Sequence, residues 1–375
     1  MHQHSIKINI LSPGRFHVCD LARELDRNGF DVKFYSFVPT KRAMKFGLPR
    51  RCSASLYIPL IPFLALSKVF FKKKSWAQVL LTKTQDYLTG LVMRKCDVVI
   101  AMSGCFLYSL KVAKMRGELV ILERGSKHIL EQKRILESLP SLKGKHPVPD
   151  INVKRELAGY ELADYISIAS EHVKRSFLLH NYPEDKLFVN PYGVDLNMFY
   201  PMPSIEKKYD LIMVGTWGYQ KGCDLITQAV KDLGLTLLHV GSTGDLTFPK
   251  DSLFTDIGPV DESELVKYYA QAKVFVFPSR QDGFGMVLSQ AMACNLPIVA
   301  SADCGAPDLK KIVAKPDYID IVEDNSFQGL EDGIRTMLGR YPQLRENYAG
   351  NAISQLTWEA YGDRYAQFIK RITIK

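Results

Sequence analysis

The pattern of strand, glycine-bearing loop, helix and strand occurs twice in this chain, and each occurrence opens its own half. Ile6 to Ser12 is a strand-length apolar run that Pro13-Gly14 breaks. Phe16, Cys19, Leu21, Ala22 and Leu25 then share one face at helical spacing, Asn28-Gly29 ends the helix, and Asp31 to Val38 reads as the next strand. After a proline-marked link from Pro191 to Pro203 the pattern restarts: strand Tyr209 to Gly215, helix Lys221 to Asp232, strand Leu235 to Gly241. A strand and a parallel partner joined through a helix make an α/β sheet, so two such starts predict two α/β domains. In open sheets of this kind ligands bind beyond the carboxyl ends of the strands, where Gly14 and Gly215 stand.

Other segments fill in the two sheets. Val98 to Met102, Leu119 to Leu122 and Tyr165 to Ala169 are apolar runs of strand length in the first half; Val274 to Phe277 and Pro297 to Ala300 play that part in the second. Asp261-Glu262-Ser263-Glu264 has the spacing of a capping box and predicts a helix to about Gln271. Gly285 to Cys294 and Thr357 to Ile374 read as further helices, the last carrying Trp358, Tyr361, Tyr365 and Phe368. At 375 residues two domains are expected, with boundaries at 1–195 and 196–356 and a terminal helix, 357–375, crossing back to the first domain. The seven cysteines are scattered and never spaced C-x-x-C, which argues against a disulfide framework or zinc ribbon and for a reducing compartment. Met1 to Ser5 has no basic region of the secretory kind, so a cytoplasmic protein is expected.

The net charge of +9 is unevenly spread. Val32 to Gln85 contains no Asp or Glu but eleven Lys and Arg, from Lys33 to Lys83. Within it, Leu56 to Phe71 is apolar but interrupted by Pro59, Pro62 and Lys68, short of the ~20 clean residues that span a bilayer. Basic residues interleaved with Phe63, Leu64, Leu66, Phe70 and Phe71 suit peripheral contact with an anionic membrane surface at the inner face; the alternative is a buried helix with solvated lysines at its end. No recognition pattern for nucleic acid accompanies the charge, so that partner is not expected.

Two loops carry chemistry. Pro278 to Val287 joins a buried strand to a helix, and Gly283 and Gly285 let backbone amides approach a ligand. Amides and the positive end of the helix dipole there suit a diphosphate, with Asp282 just before the helix start and Gln290 about 12 Å further along it. The second loop, Gly215-Thr216-Trp217 to Lys221-Gly222, offers a lysine as a point charge for phosphate. Gly283-Phe284-Gly285 begins like a dinucleotide fingerprint, but Leu288 replaces the third glycine, which disfavours a dehydrogenase.

Asp282 to Ser301 resembles the donor-site signature of the family 4 retaining glycosyltransferases, also called glycosyl transferases group 1. Val214-Gly215 to Lys221-Gly222 is similar to that family's diphosphate loop, Asn190 to Pro201 to its interdomain segment, and Ile257 to Val260 to its nucleobase loop. The likeness runs from about Tyr160 to Ser301 and fades over the first 150 residues. It implies a GT-B fold, two Rossmann-like domains facing a central cleft, with a UDP- or GDP-sugar on the C-terminal domain and an acceptor on the N-terminal one. It also implies a retaining, metal-independent transfer to a hydroxyl of a lipid-linked or cell-envelope glycan, with no cofactor.

By the same resemblance Asp282 contacts the donor sugar, Gln290 the ribose and Lys221 the diphosphate, while Phe284, Gly285, Met286 and Val287 offer their backbone. Gly14, Gly215, Thr216 and Val260 complete the donor site. The family carries Glu where Asp282 and Gln290 stand, and Arg where Thr216 stands. Members place a histidine near the donor sugar from the segment after the Leu119 strand, which leaves His128, Glu123 and Arg124 as candidates. Glu171-His172, at a helix start, reads as structural. Two alternatives stay open: a nucleotide-sugar epimerase on the same fold, and a catalytically silent glycan-binding scaffold.

Overall fold

The computed structural model describes residues 5–70, 76–142, 144–346 and 353–373. Its first half holds β1 (Lys7–Leu11), β2 (Asp31–Ser36), β3 (Ser53–Ser55), β4 (Val98–Met102), β5 (Leu119–Arg124), β6 (Tyr165–Ile168) and β7 (Leu187–Val189). Around them lie α1 (His17–Arg27), α2 (Thr40–Lys45), α3 (Tyr57–Phe70), α4 (Trp76–Val92), α5 (Leu107–Met115), α6 (Ile129–Ser138), α7 (Asp150–Leu162) and α8 (Glu171–Leu178). The second half has β8 (Tyr209–Val214), β9 (Leu237–Val240), β10 (Phe254–Asp256), β11 (Ala272–Phe277), β12 (Ile298–Ser301) and β13 (Ile319–Val322). Its helices are α9 (Cys223–Leu233), α10 (Leu265–Tyr269), α11 (Met286–Ala293), α12 (Ala306–Ile312) and α13 (Phe327–Glu346), and α14 (Trp358–Thr373) follows.

Both sheets are parallel, in the orders β3-β2-β1-β4-β5-β6-β7 and β10-β9-β8-β11-β12-β13. Central strands buried on both faces should read as unbroken apolar runs, and β4 does: Val98, Val99, Ile100 and Ala101 are all fully buried. In each sheet the order reverses beside its first strand, since β1 pairs with β2 on one side and β4 on the other, and β8 pairs with β9 and β11. A ligand crevice is expected at each reversal.

The last helix returns to the first domain. Tyr361, Tyr365, Phe368 and Ile369 are buried with Val18, Leu21 and Leu25 of α1 in one cluster. Large apolar side chains contribute roughly 1.5 to 3 kcal/mol each when buried, so this seam clamps the chain's end to the N-terminal domain. Phe368 stacks on Phe188 at 4.1 Å between centroids.

One expectation changes. The capping box does not form: Asp261 makes no side-chain cap, residues 262–264 are a 3-10 turn, and the Glu264 carboxylate pairs with Lys267 at 2.7 Å. Of the two readings of the apolar run, the alternative of a buried helix is met only in part: Leu56 and Leu60 are buried in a small cluster, but α3 leaves Tyr57, Ile58 and Ile61 exposed, Ile58 at 79%. No helix among the described residues is long and apolar enough to cross a membrane. Phe71 and Lys72 to Lys74 of the basic segment lie outside the described residues.

Replacing Phe368 by Ala should destabilise the protein by about 3 to 5 kcal/mol, the usual loss for a buried aromatic side chain. A urea titration followed by circular dichroism measures it; a midpoint equal to that of the parent protein contradicts the clamp.

Candidate functional site

The carboxyl ends of the two sheets face one cavity of about 640 Å³, within the range of ligand pockets. From the N-terminal side it is lined by Arg15, Phe16 and His17 after β1, Met102 ending β4 and Gly125 after β5. From the C-terminal side come Val214 ending β8 and Gly215 after it, Lys221, and the turn from Asp282 into α11. The ends of β1, β4 and β8, which flank the order reversals, are among them.

The turn is built by two glycines with different duties. Gly285, at the N-cap of α11, has φ +78°, a left-handed conformation costly to other residues. Gly283 is needed for space: a Cβ there would stand 2.0 Å from the Gly125 carbonyl oxygen of the other domain. The amides of Met286 and Val287, which start the helix and have no carbonyl a turn earlier to bond, belong to residues lining the cavity. The Lys221 ammonium donates to Asp282 Oδ2 and sits 5.2 Å from the Phe277 ring centroid, while Asp282 Oδ1 accepts from the Gly283 amide at 2.7 Å.

The N-terminal domain holds this turn in place. Ser170 Oγ donates to the Gly283 carbonyl at 2.6 Å, and His172 Nε2 donates to the Asp282 carbonyl at 2.7 Å. Burial pushes the His172 imidazole down to about 4, outweighing that hydrogen bond, so at neutral pH it is an uncharged donor. Glu171-His172 does lie at the start of α8, but the histidine positions the loop bearing Asp282.

The cleft has a histidine that sequence reading did not find. His17, the first residue of α1, is fixed by Glu123 Oε2 at 2.9 Å, and Glu123 Oε1 accepts from Tyr365 of α14 at 2.7 Å. Burial, with Glu123 beside it, raises the Tyr365 phenol well above 10, which keeps it a donor. The imidazole also packs on Tyr192, centroids 4.3 Å apart. Asp20, Tyr192 and Glu262 line the cavity too. Glu262 Oε2 takes the Arg15 guanidinium at 3.0 Å, and Gln290, which accepts from the Tyr269 hydroxyl, approaches Glu262 Oε1 at 3.4 Å.

Gly215, Lys221, Asp282, Phe284, Gly285, Met286, Val287 and Gln290 all line the cavity. Gly14, Thr216 and Val260 do not: Gly14 is buried behind Arg15, its carbonyl taken by Ser12 Oγ at 2.7 Å, and Thr216 bonds Ser242 on the exposed rim. His128 and Arg124 also miss the cleft. His128 caps α6 and is packed against His180, Tyr160 and Phe177, and burial lowers its imidazole to about 4. Arg124 turns into its own domain, to Glu156 at 2.8 Å, Gln132 at 2.6 Å and the Lys127 carbonyl.

Residues 208–340 match the family described as glycosyl transferases group 1. That match lies within the second α/β half of the chain. A probable sucrose-phosphate synthase of Thermosipho melanesiensis is 24% identical over 249 residues, 59% of this chain and 57% of that protein, so the match spans little more than half of the relative. Sucrose-phosphate synthase from Thermosynechococcus elongatus superposes with TM-score 0.66 at 17% identity, covering 98% of this chain and 99% of that one. Anabaena HepE, solved in complex with UDP, does so at 0.64 and 14%, covering 98% and 100%. The shared architecture is GT-B, and the cavity at the two sheet reversals is the cleft between its domains.

His172 and His128 make stability pH-dependent in a defined direction. Their folded values, about 4, lie below the ordinary 6.5, so the unfolded chain binds protons first as the pH falls. Stability is full above 6.5 and lost progressively down to about 4, by roughly 2 to 3 kcal/mol per imidazole. Melting temperature measured across that window should fall, and His172→Gln, which keeps a donor for the Asp282 carbonyl, should shallow the slope; an unchanged slope assigns the acid loss elsewhere.

Proposed function

We propose that this chain is a family 4 retaining glycosyltransferase that moves a sugar from a UDP or GDP sugar to a hydroxyl of a lipid-linked or cell-envelope glycan, without a metal. The observation that carries the proposal is the convergence, in one interdomain cavity, of the Lys221 ammonium, the α11 N-terminal amides and the Asp282 carboxylate. An ammonium and a helix N-terminus are the groups that stabilise a departing diphosphate, and a carboxylate beside them can hold sugar hydroxyls. The UDP found in Anabaena HepE supports a nucleoside diphosphate as the leaving group.

Two departures from the family pattern acquire substitutes. Glu262 supplies a carboxylate next to Gln290 for the ribose hydroxyls, and Arg15 supplies a guanidinium for the diphosphate where Thr216 has none. His17, held by Glu123, faces the donor sugar from the N-terminal side in place of His128. In the transfer, the bond from the anomeric carbon to the diphosphate oxygen breaks while the acceptor oxygen bonds that carbon on the same face. The acceptor's proton passes to the departing phosphate oxygen, so no protein nucleophile is required.

The membrane contact belongs to the same proposal. An apolar notch lined by Phe37, Tyr57, Ile61 and Leu64 carries Arg15 and Arg42 at its border, and so adjoins the cleft through Arg15. Exposed Ile58 and Ile61 beside a segment free of acids would enter an anionic interface at the inner face, each basic residue adding about 1 kcal/mol.

Lys221→Ala should lower kcat/KM by roughly 10²- to 10³-fold, the loss seen when one leaving-group contact is removed, and Asp282→Ala should lower kcat far more than donor affinity. Release of nucleoside diphosphate from UDP- and GDP-sugars reads both; turnover untouched by either substitution defeats the assignment. Separately, cosedimentation with vesicles containing phosphatidylserine should weaken as salt rises and be lost in Ile58→Glu/Ile61→Glu. Binding that ignores both salt and these substitutions refutes the membrane contact.

A further inference from the structure

Beside the cleft, on the N-terminal domain alone, lies a second cavity of about 520 Å³. The two share a wall: Met102 and Gly125 line the cleft, and their chain neighbours Ser103 and Arg124 line the second cavity. Its outer end opens past Lys83 and Arg155 onto a shallower depression holding Tyr87, Tyr108 and Lys111. Together they form a groove leading away from the place where a donor sugar would sit.

The chemistry of the groove is uneven along its length. At the inner end Glu156, 7% exposed, gives Oε1 to Arg124, while its Oε2 is buried with no partner among the described residues. A buried carboxylate oxygen left so is a strong acceptor for an incoming hydroxyl, because an unmade hydrogen bond there is expensive. Midway, Arg155 is held in the wall by the Gly104 and Cys105 carbonyls at 3.0 Å each. Asp86 Oδ2 pairs with Arg155 at 3.4 Å, and the same carboxylate accepts the Tyr108 and Ser109 amides at 2.9 Å, so Arg155 is only partly offset there. Lys83 and Lys111 make no ion pair among the described residues. At the outer end Tyr87 and Tyr108 stand with centroids 5.1 Å apart, both exposed, giving flat apolar faces of the sort on which sugar rings pack.

We infer that this groove binds an acidic saccharide, a glycan whose sugars carry carboxylate or phosphate, as the acceptor. One hydroxyl-bearing ring reaches Glu156, the anionic group lies against Lys83, Arg155 and Lys111, and a further ring rests on Tyr87 and Tyr108. The inference rests on the glycosyltransferase proposal for its word acceptor, though the binding it describes does not require donor chemistry.

The test uses the full chain and four probes: a hexuronate-containing tetrasaccharide, the same tetrasaccharide with its carboxylates reduced, a phosphorylated disaccharide and inorganic phosphate. Calorimetry should show binding of the uronate probe or the phosphorylated one, the stronger of the two naming the anion, and at least tenfold weaker binding of the reduced probe. Lys83→Glu/Lys111→Glu and, separately, Tyr87→Ala should each weaken the bound saccharide at least tenfold. UDP binding in the same variants reports folding and the donor cleft, and should not change. Equal binding of acidic and reduced probes, indifference to these substitutions, binding of inorganic phosphate as tight as that of the saccharides, or no saccharide binding overturns the inference. Saccharide binding in a protein that binds no nucleotide leaves the groove standing and removes the glycosyltransferase proposal instead.

Discussion

The contact between Gly283 and Gly125 governs this molecule. The backbone of the Asp282 turn lies so close to the other domain that a single Cβ would stand 2.0 Å from a carbonyl oxygen. Ser170 and His172 then bind the carbonyls of Gly283 and Asp282 from the same side. Asp282 therefore belongs by sequence to the C-terminal domain and by attachment to both, so the distance between the two faces of the cleft is set at the residue proposed to contact the donor sugar. Across the same seam Lys127 reaches Asp303 at 2.6 Å.

The terminal helix makes the same junction from the other direction. Tyr365 of α14 donates to Glu123, and Glu123 fixes His17. The chain thus runs out of the C-terminal domain and returns to support a cleft residue on the N-terminal one. Because Glu123 is almost fully buried, its two carboxyl oxygens depend on these hydrogen bonds, and truncating α14 would leave one of them without its partner. The orientation of a cleft histidine is in this way tied to the packing of Phe368 and Ile369 some distance away.

How far the sequence reveals this site depends on how local each part is. The strand ending at Phe277, the glycines at 283 and 285 and the helix after them are contiguous, so the loop's place in the cleft was legible, as was that of Lys221 on its own glycine loop. His17 was not, since its meaning comes from Glu123, 106 residues on, and from Tyr365, 242 beyond that. His128 misled because standing just after a strand at the cleft suggests facing it; the side chain instead caps a helix and turns inward. Arg124 ends its strand pointing away from the cleft, where Glu156 takes it. Glu262 was read only for a cap, and its pairing with Arg15 crosses the domains.

The Lys221 and Asp282 pair adds one consequence. An ammonium already bonded to a carboxylate is largely neutralised, and a diphosphate that takes Lys221 must take it from Asp282. Arrival of the diphosphate would then release Asp282 Oδ2 toward the sugar that the diphosphate carries, while Oδ1 stays on the Gly283 amide and keeps the side chain in its rotamer. On the proposed function, a nucleotide lacking the β-phosphate would reach Lys221 poorly and leave the carboxylate occupied. In the proposed transfer, binding of the leaving group and freeing of the sugar contact would become one event, which would concentrate the groups that stabilise charge separation at the moment a complete donor is seated.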